Sequence, residues 1–130
     1  MHLNVLVGGC GNLGRWHIKG LEKSQHDISV YALDIAEPAF ELLTKFCEEN
    51  LCENSNVTIK KHLVGDDNLS NLPAMDLVII ATTAVNRELT FARLCAGIES
   101  RFWLLEKPIA QSAQKISEIA KQAAGKAAFV

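Results

Sequence analysis

Short aliphatic runs alternate with longer segments of helical spacing along this chain, and that alternation restricts the fold more than any other feature. The runs are Leu3 to Val7, Ile28 to Leu33, Val57 to Lys61, Asp76 to Ala81 and Phe102 to Leu105, each bounded by polar or glycine residues as strands are. Between them, apolar residues recur three and four apart at Leu13, Trp16, Gly20 and Leu21, at Phe40, Leu43, Phe46 and Cys47, and at Val85, Leu89, Ala92, Leu94 and Ala96. This spacing predicts helices with one buried face. Ile116, Ile119, Ala120 and Ala123 extend it through a segment from Ser112 to Ala124, with Ser112 as N-cap and Gly125 as the residue past the end.

Strands and helices in alternation build right-handed βαβ units. The predicted fold is therefore α/β: a doubly wound parallel sheet of strand order 3-2-1-4-5, with helices on both faces. "VLV" at 5–7 and "LVII" at 77–80 are continuous apolar runs, as mid-sheet strands covered on both sides require. "GDDNLSNLP" from Gly65 to Pro73 is rich in turn formers and predicts a link with little or no helix. The closing "KAAFV" reads as the opening of a truncated sixth strand.

The 130 residues amount to one domain, with 48% hydrophobic and 22% charged residues as in ordinary globular chains. Net charge is -2 and the 13 Lys and Arg are scattered, which speaks against nucleic acid and for a small-molecule partner. No apolar stretch approaches the ~20 residues of a membrane-spanning helix. "MHLNVLVGG" lacks the basic start and small-residue cleavage site of a signal peptide, so the expected location is cytoplasmic. Cys10, Cys47, Cys52 and Cys95 form neither a CxxC pair nor a zinc spacing, and read as free thiols without a metal site.

The first run leads directly into Gly9-Cys10-Gly11-Asn12-Leu13-Gly14. In a dinucleotide site of the GxGxxG type the first glycine permits the tight turn, the second lets backbone approach a pyrophosphate, and the third lets helix and strand pack closely. Amides of Asn12, Leu13 and Gly14 then face the phosphates from the helix N-terminus. The motif follows a predicted strand and opens a predicted helix, the context it needs to carry weight. Asp34, twenty residues after Gly14, closes the second strand where a carboxylate accepts hydrogen bonds from the adenosine ribose. "IAEPAF" beyond it holds no cation for a 2′-phosphate, which predicts NAD in preference to NADP.

After the fifth run, "WLLEKPIA" puts Glu106, Lys107 and Pro108 at the carboxyl edge of the sheet, where open α/β folds bind ligands. A lysine there can polarise a substrate hydroxyl or carbonyl and stabilise a developing alkoxide during hydride transfer. A cis Lys107-Pro108 bond would aim that lysine into the cleft. "GGCGNLGRWH", the acidic end of strand 2, "VIIATT" and "LLEKPIA", in this order, resemble the Gfo/Idh/MocA oxidoreductases over essentially the whole chain. The resemblance implies an N-terminal Rossmann domain for NAD or NADP, with a C-terminal domain, absent from these 130 residues, that holds a sugar, inositol or related polyol and forms the oligomer contact. It further implies that Gly9, Gly11, Asn12, Leu13 and Gly14 bind pyrophosphate and that Asp34 holds the ribose. Ala81 and Thr82 are implied to lie against the cofactor, Glu106 and Lys107 near the nicotinamide, with Lys107 the catalytic residue.

His17 matches a histidine of the family, in a role that is either structural or cofactor contact. Two departures stand out. "ATTAVNREL" carries Thr83 and Arg87 where the family often has proline and histidine, and the stretch from Gly97 to Glu106 is longer than usual, predicting an enlarged turn before strand 5. Two further readings stay open: a non-catalytic regulatory module that binds the dinucleotide, against which Lys107 argues, and a scaffold of the same fold with an empty site.

Overall fold

The computed structural model describes residues 1–65 and 69–124. Five strands, β1 (His2–Gly8), β2 (Asp27–Asp34), β3 (Val57–Val64), β4 (Met75–Ile80) and β5 (Ser100–Leu105), form one sheet in the order β3-β2-β1-β4-β5. All four pairings are parallel, and the order is the one the sequence predicts. Four helices connect or follow the strands: α1 (Asn12–Gly20), α2 (Pro38–Asn50), α3 (Arg87–Gly97) and α4 (Ala113–Ala123).

Side-chain alternation along β1 feeds two separate cores. Val5 and Val7 pack with Ile18 of α1 and with Phe40 and Leu43 of α2. Leu6 packs on the opposite face with Val78 and Ile80 of β4, Phe91 and Leu94 of α3, and Ile119 of α4. Burying one such side chain is worth about 1.5 to 3 kcal/mol, so neither face can be left uncovered and helices lie on both. β1 and β4 are covered on both faces, and so is β2, whose Tyr31 and Leu33 join one core while Val30 and Ala32 join the other.

The helices differ from the sequence reading in which residues they bury. In α1 the buried positions are Gly14 and Ile18, while Leu13 and Trp16 stay 46% and 51% exposed. Trp16 packs nearly perpendicular to the Phe46 ring, at a centroid distance of 5.0 Å. Of the predicted stripe in α3, Leu94 is buried but Val85 and Leu89 face outward. Val85 precedes the helix, and Phe91, Leu94 and Cys95 turn inward together with Arg87 and Glu88. "RELTFARLCAG" carries two apolar stripes, and the one with the larger ring wins because Phe91 packs edge-on against buried Trp103 at 5.3 Å. Ile119 is buried in α4 and Ile116 is not.

Among its described residues, the link from β3 to β4 contains one 3-10 turn, Leu69–Asn71, whose Leu69 lies against Gly97. The enlarged turn expected before β5 is not there. Only Ile98 and Glu99 separate α3 from β5, and the additional residues lie in the strand. Ser112 caps α4 by accepting the Lys115 amide at 3.3 Å, as expected. Gly125 and the "KAAFV" segment, proposed as a helix end and a sixth strand, lie outside the described residues. The four cysteines are free thiols, and no helix among the described residues is long and apolar enough to cross a membrane.

Candidate functional site

The chain leaves β1 toward β2 on one side and returns to pair β4 on the other, so the order reverses at β1 and opens a crevice at the carboxyl ends of β1 and β4. The glycines shape that crevice. Gly9 has φ of +94°, and a Cβ there would lie 2.7 Å from the Thr82 nitrogen and 2.8 Å from the Ala81 carbonyl carbon. The first glycine thus lets the loop after β1 touch the loop after β4. A Cβ on Gly14 would fall 1.8 Å from the Gly9 carbonyl oxygen, so the third glycine is what allows α1 to start against the turn. A Cβ on Gly11 would meet nothing within 4 Å. The protein itself does not need that glycine; the space over it remains open to a ligand. Gly11 is the N-cap of α1, with no capping side chain and no acidic residue in the first turn, and the amide-rich, positive end of the helix is left for an anion.

Asp34 has a second role that sequence reasoning missed. Its Oδ2 accepts the Cys10 amide at 2.8 Å and its Oδ1 accepts the Ala36 amide at 3.0 Å, while Gly9 donates to the Leu33 carbonyl at 2.8 Å. The carboxylate therefore fastens the glycine loop to β2, and each oxygen keeps lone pairs for a further donor. Burial first, and the Asp34 charge second, push the Cys10 thiol up to about 12, which keeps it protonated and unreactive.

Gly9, Gly11, Asp34, Ala81 and Thr82 share one cavity of about 330 Å³. Asn12, Leu13 and Gly14 do not line it; they stand behind it as the first turn of α1. Its remaining wall includes Ile35, Val85, Thr90 and Arg93. Ile35 is 82% exposed, and both it and Val85 lie outside either core, so their apolar surface is left over at the mouth. The available signal was an isoleucine placed directly after the acidic strand end, outside the strand's apolar run. Thr82 contributes a buried Oγ1 without a hydrogen-bond partner among the described residues. Open space over Gly11, an unmatched hydroxyl and a carboxylate with spare lone pairs fit a dinucleotide.

Glu106 and Lys107 do not line this cavity but emerge beside it from β5. The Glu106 amide donates to the Ile80 carbonyl at 3.1 Å, which holds the segment next to β4, and its carboxylate contacts His17 Nε2 on α1. His17 thus touches a site residue within the protein, consistent with its structural alternative. Lys107 is exposed and its bond to Pro108 is cis. Arg87, noted in the sequence only as a departure, is 2% exposed and enters this region from the first residue of α3. It donates from Nη1 to the Glu106 carbonyl and, at 3.0 Å, to the Pro108 carbonyl, and from Nη2 to the Thr82 carbonyl. Burial lowers its pKa below the usual arginine value, and the nearby Glu106 opposes that shift.

A parallel doubly wound sheet with a glycine turn and an acidic second strand defines a dinucleotide-binding Rossmann domain. Residues 3–130 match the Gfo/Idh/MocA family, described as an oxidoreductase family with an NAD-binding Rossmann fold, and this chain belongs to that family. Among solved structures it is similar to the WlbA dehydrogenase of Chromobacterium violaceum in complex with NADH and UDP-GlcNAcA, at 20% identity and a TM-score of 0.74, covering 99% of this chain and 34% of that one. It is also similar to the myo-inositol dehydrogenase of Lactobacillus casei in complex with NAD(H) and myo-inositol, at 24% identity and a TM-score of 0.71, covering 97% and 34%. A third similar structure is the scyllo-inositol dehydrogenase of the same organism with NAD(H) and scyllo-inositol, at 18% identity and a TM-score of 0.66, covering 96% and 34%. The chain thus spans about a third of the length of these structures. A search of curated proteins by sequence found no match.

Proposed function

We propose that this chain is the NAD-binding part of a cytoplasmic oxidoreductase that interconverts a hydroxyl and a carbonyl on a sugar, inositol or related polyol, with Lys107 as its catalytic residue. The observation that supports the reading is the open Gly11 turn beside the Asp34 carboxylate at the reversal of strand order, with the segment bearing Lys107 emerging next to their cavity from the strand beside β4. The α1 amides of Asn12, Leu13 and Gly14 hold the pyrophosphate over Gly11. Asp34 takes the adenosine ribose with its free lone pairs, and its charge repels a 2′-phosphate, so NAD is preferred over NADP. Ile35 and Val85 offer flat apolar contact to the adenine, and Ala81 and Thr82 line the path toward Glu106. Bound NAD supplies the hydride acceptor. The chain's own contribution to the chemistry is the Lys107 ammonium, which donates a hydrogen bond to the reacting oxygen and stabilises negative charge as it develops there.

Calorimetric titration with NAD and NADP tests the binding half of this reading. NAD is expected to bind more tightly, and silence with both cofactors would refute it. Absorbance at the reduced-nicotinamide band, followed in the complete protein with a panel of inositols and aldoses, tests the rest. Lys107→Ala should lower turnover strongly while leaving NAD affinity nearly unchanged. NAD binding without turnover of any member of the panel would favour the regulatory module instead.

A further inference from the structure

We infer that Arg87 is the positioning residue for Lys107, acting as a clamp on the carbonyl groups either side of it. This rests on the catalytic reading of Lys107 above. The sheet stops holding the segment at the Glu106 amide, whose bond to the Ile80 carbonyl is its last link to β4. From 107 to 111 the backbone makes no hydrogen bond to another backbone group among the described residues. Arg87 takes over where the ladder ends. Nη1 holds the carbonyls of Glu106 and Pro108, the residues flanking Lys107, and Nη2 holds that of Thr82 at the end of β4.

The residue type suits this task. Three carbonyls from two loops call for several donors in a fixed plane, which a guanidinium has and an ammonium lacks. Its location is otherwise unfavourable, since a cation in the first turn of a helix opposes the macrodipole and a charge at 2% exposure has lost its water. The carbonyl oxygens on Nη1 and Nη2 offset part of both costs, while Nε is buried without a hydrogen-bond partner among the described residues. Asn86 makes the approach feasible by taking the left-handed conformation, φ 55° and ψ 25°, immediately before α3, a conformation asparagine tolerates. The Glu106 side chain is held independently by His17, so Lys107 lies between a neighbour anchored through both backbone and side chain and another anchored through its carbonyl.

A lysine that must meet a substrate oxygen at hydrogen-bond distance tolerates little displacement, and a misplacement of about 1 Å costs on the order of a hundredfold in rate. In the complete protein Arg87→Ala is therefore expected to lower kcat about a hundredfold, with the Kd for NAD changed less than about threefold, and added guanidinium should restore part of the turnover. Arg87→Lys should keep the charge yet recover only a fraction of the rate. In a Lys107→Ala background the Arg87→Ala change should have no further effect on turnover, because residues that act as a unit are not additive. An undiminished kcat in Arg87→Ala, or an equal further loss in the Lys107→Ala background, would overturn the assignment.

A spectroscopic arm separates this inference from the function it rests on. Lysines are dimethylated with ¹³C-formaldehyde, and the Lys107 resonance is identified by its absence in Lys107→Arg. That resonance should shift in Arg87→Ala and return toward its original position with guanidinium, whether or not a polyol is turned over. An unmoved resonance would refute the clamp; a moved resonance without turnover in the parent protein would refute the enzyme reading alone.

Discussion

The glycine turn permits a sharp test, because alanine at two of its positions should do opposite things. At Gly14 an added Cβ would lie 1.8 Å from the Gly9 carbonyl oxygen and 3.0 Å from the Gly9 carbonyl carbon, against a lower limit of 3.0 Å for real Cβ contacts. Both partners are backbone, so no flexible side chain can give way, and α1 must lift from the turn. Overpacking of this kind costs about 3 kcal/mol or more, against which alanine regains only about 1 kcal/mol of helix propensity. Unfolding entropy of about 2.1 cal/mol/K per residue makes 1 kcal/mol worth roughly 4 °C in a domain of this length, so Gly14→Ala should melt about 8 °C or more below the parent. At Gly11 the Cβ meets no atom within 4 Å, and φ of -69° with ψ of -167° suits any residue. Lost N-cap preference and reduced unfolded-state entropy nearly cancel, keeping stability within about 1 kcal/mol. The methyl instead occupies the approach to the helix amides. Loss of a hydrogen bond to a charged phosphate, worth about 1.5 to 3 kcal/mol, weakens NAD by about ten- to a hundredfold. Differential scanning fluorimetry and calorimetric titration of both variants read the two effects separately. A Gly11→Ala protein that melts early yet binds NAD normally, or a Gly14→Ala protein as stable as the parent, would refute the division of labour.

Asp34→Ala should weaken NAD binding and narrow the preference over NADP, and because Cys10 loses its acceptor at 2.8 Å it should also lower the melting temperature; a stable variant with an unchanged preference would contradict both roles. Glu22, held by Lys19 at 2.5 Å and by the Cys52 amide at 2.9 Å, has its pKa lowered from 4.5 to about 2. The unfolded chain takes up this proton first as the solution is acidified, so the stabilisation is complete above pH 4.5 and is lost as pH falls toward about 2. Acid melts of Glu22→Gln should lack that component, and identical acid slopes would rule it out. Under native conditions at pH 8, exposed Cys52 should react with a thiol reagent rapidly and Cys10 only on unfolding. Fast labelling of Cys10 in the folded chain would contradict its burial.

Sequence alone determined the fold class and the strand-end positions of the glycine turn, Asp34 and Lys107, because each depends on local patterns: unbroken apolar runs, helical spacing and glycines at a strand end; the strand order, a non-local property, followed from the doubly wound pattern those motifs resemble. It placed four helices and found the inward Ile119 and Ala123 of α4, but misjudged the face of α1 and part of that of α3, since a helix with two apolar stripes is oriented by the surface it finds, here Trp103 for Phe91. The same limit hid the wider use of the site residues. Asp34 reads as a ribose ligand from its place at a strand end, yet its bond to the Cys10 amide spans two loops that meet only after folding. Arg87 reads in the sequence only as a departure near the position where the family often has histidine. Only the tertiary structure gathers the Thr82, Glu106 and Pro108 carbonyls from two separate loops, and their summed dipoles turn an exposed cation into a buried clamp.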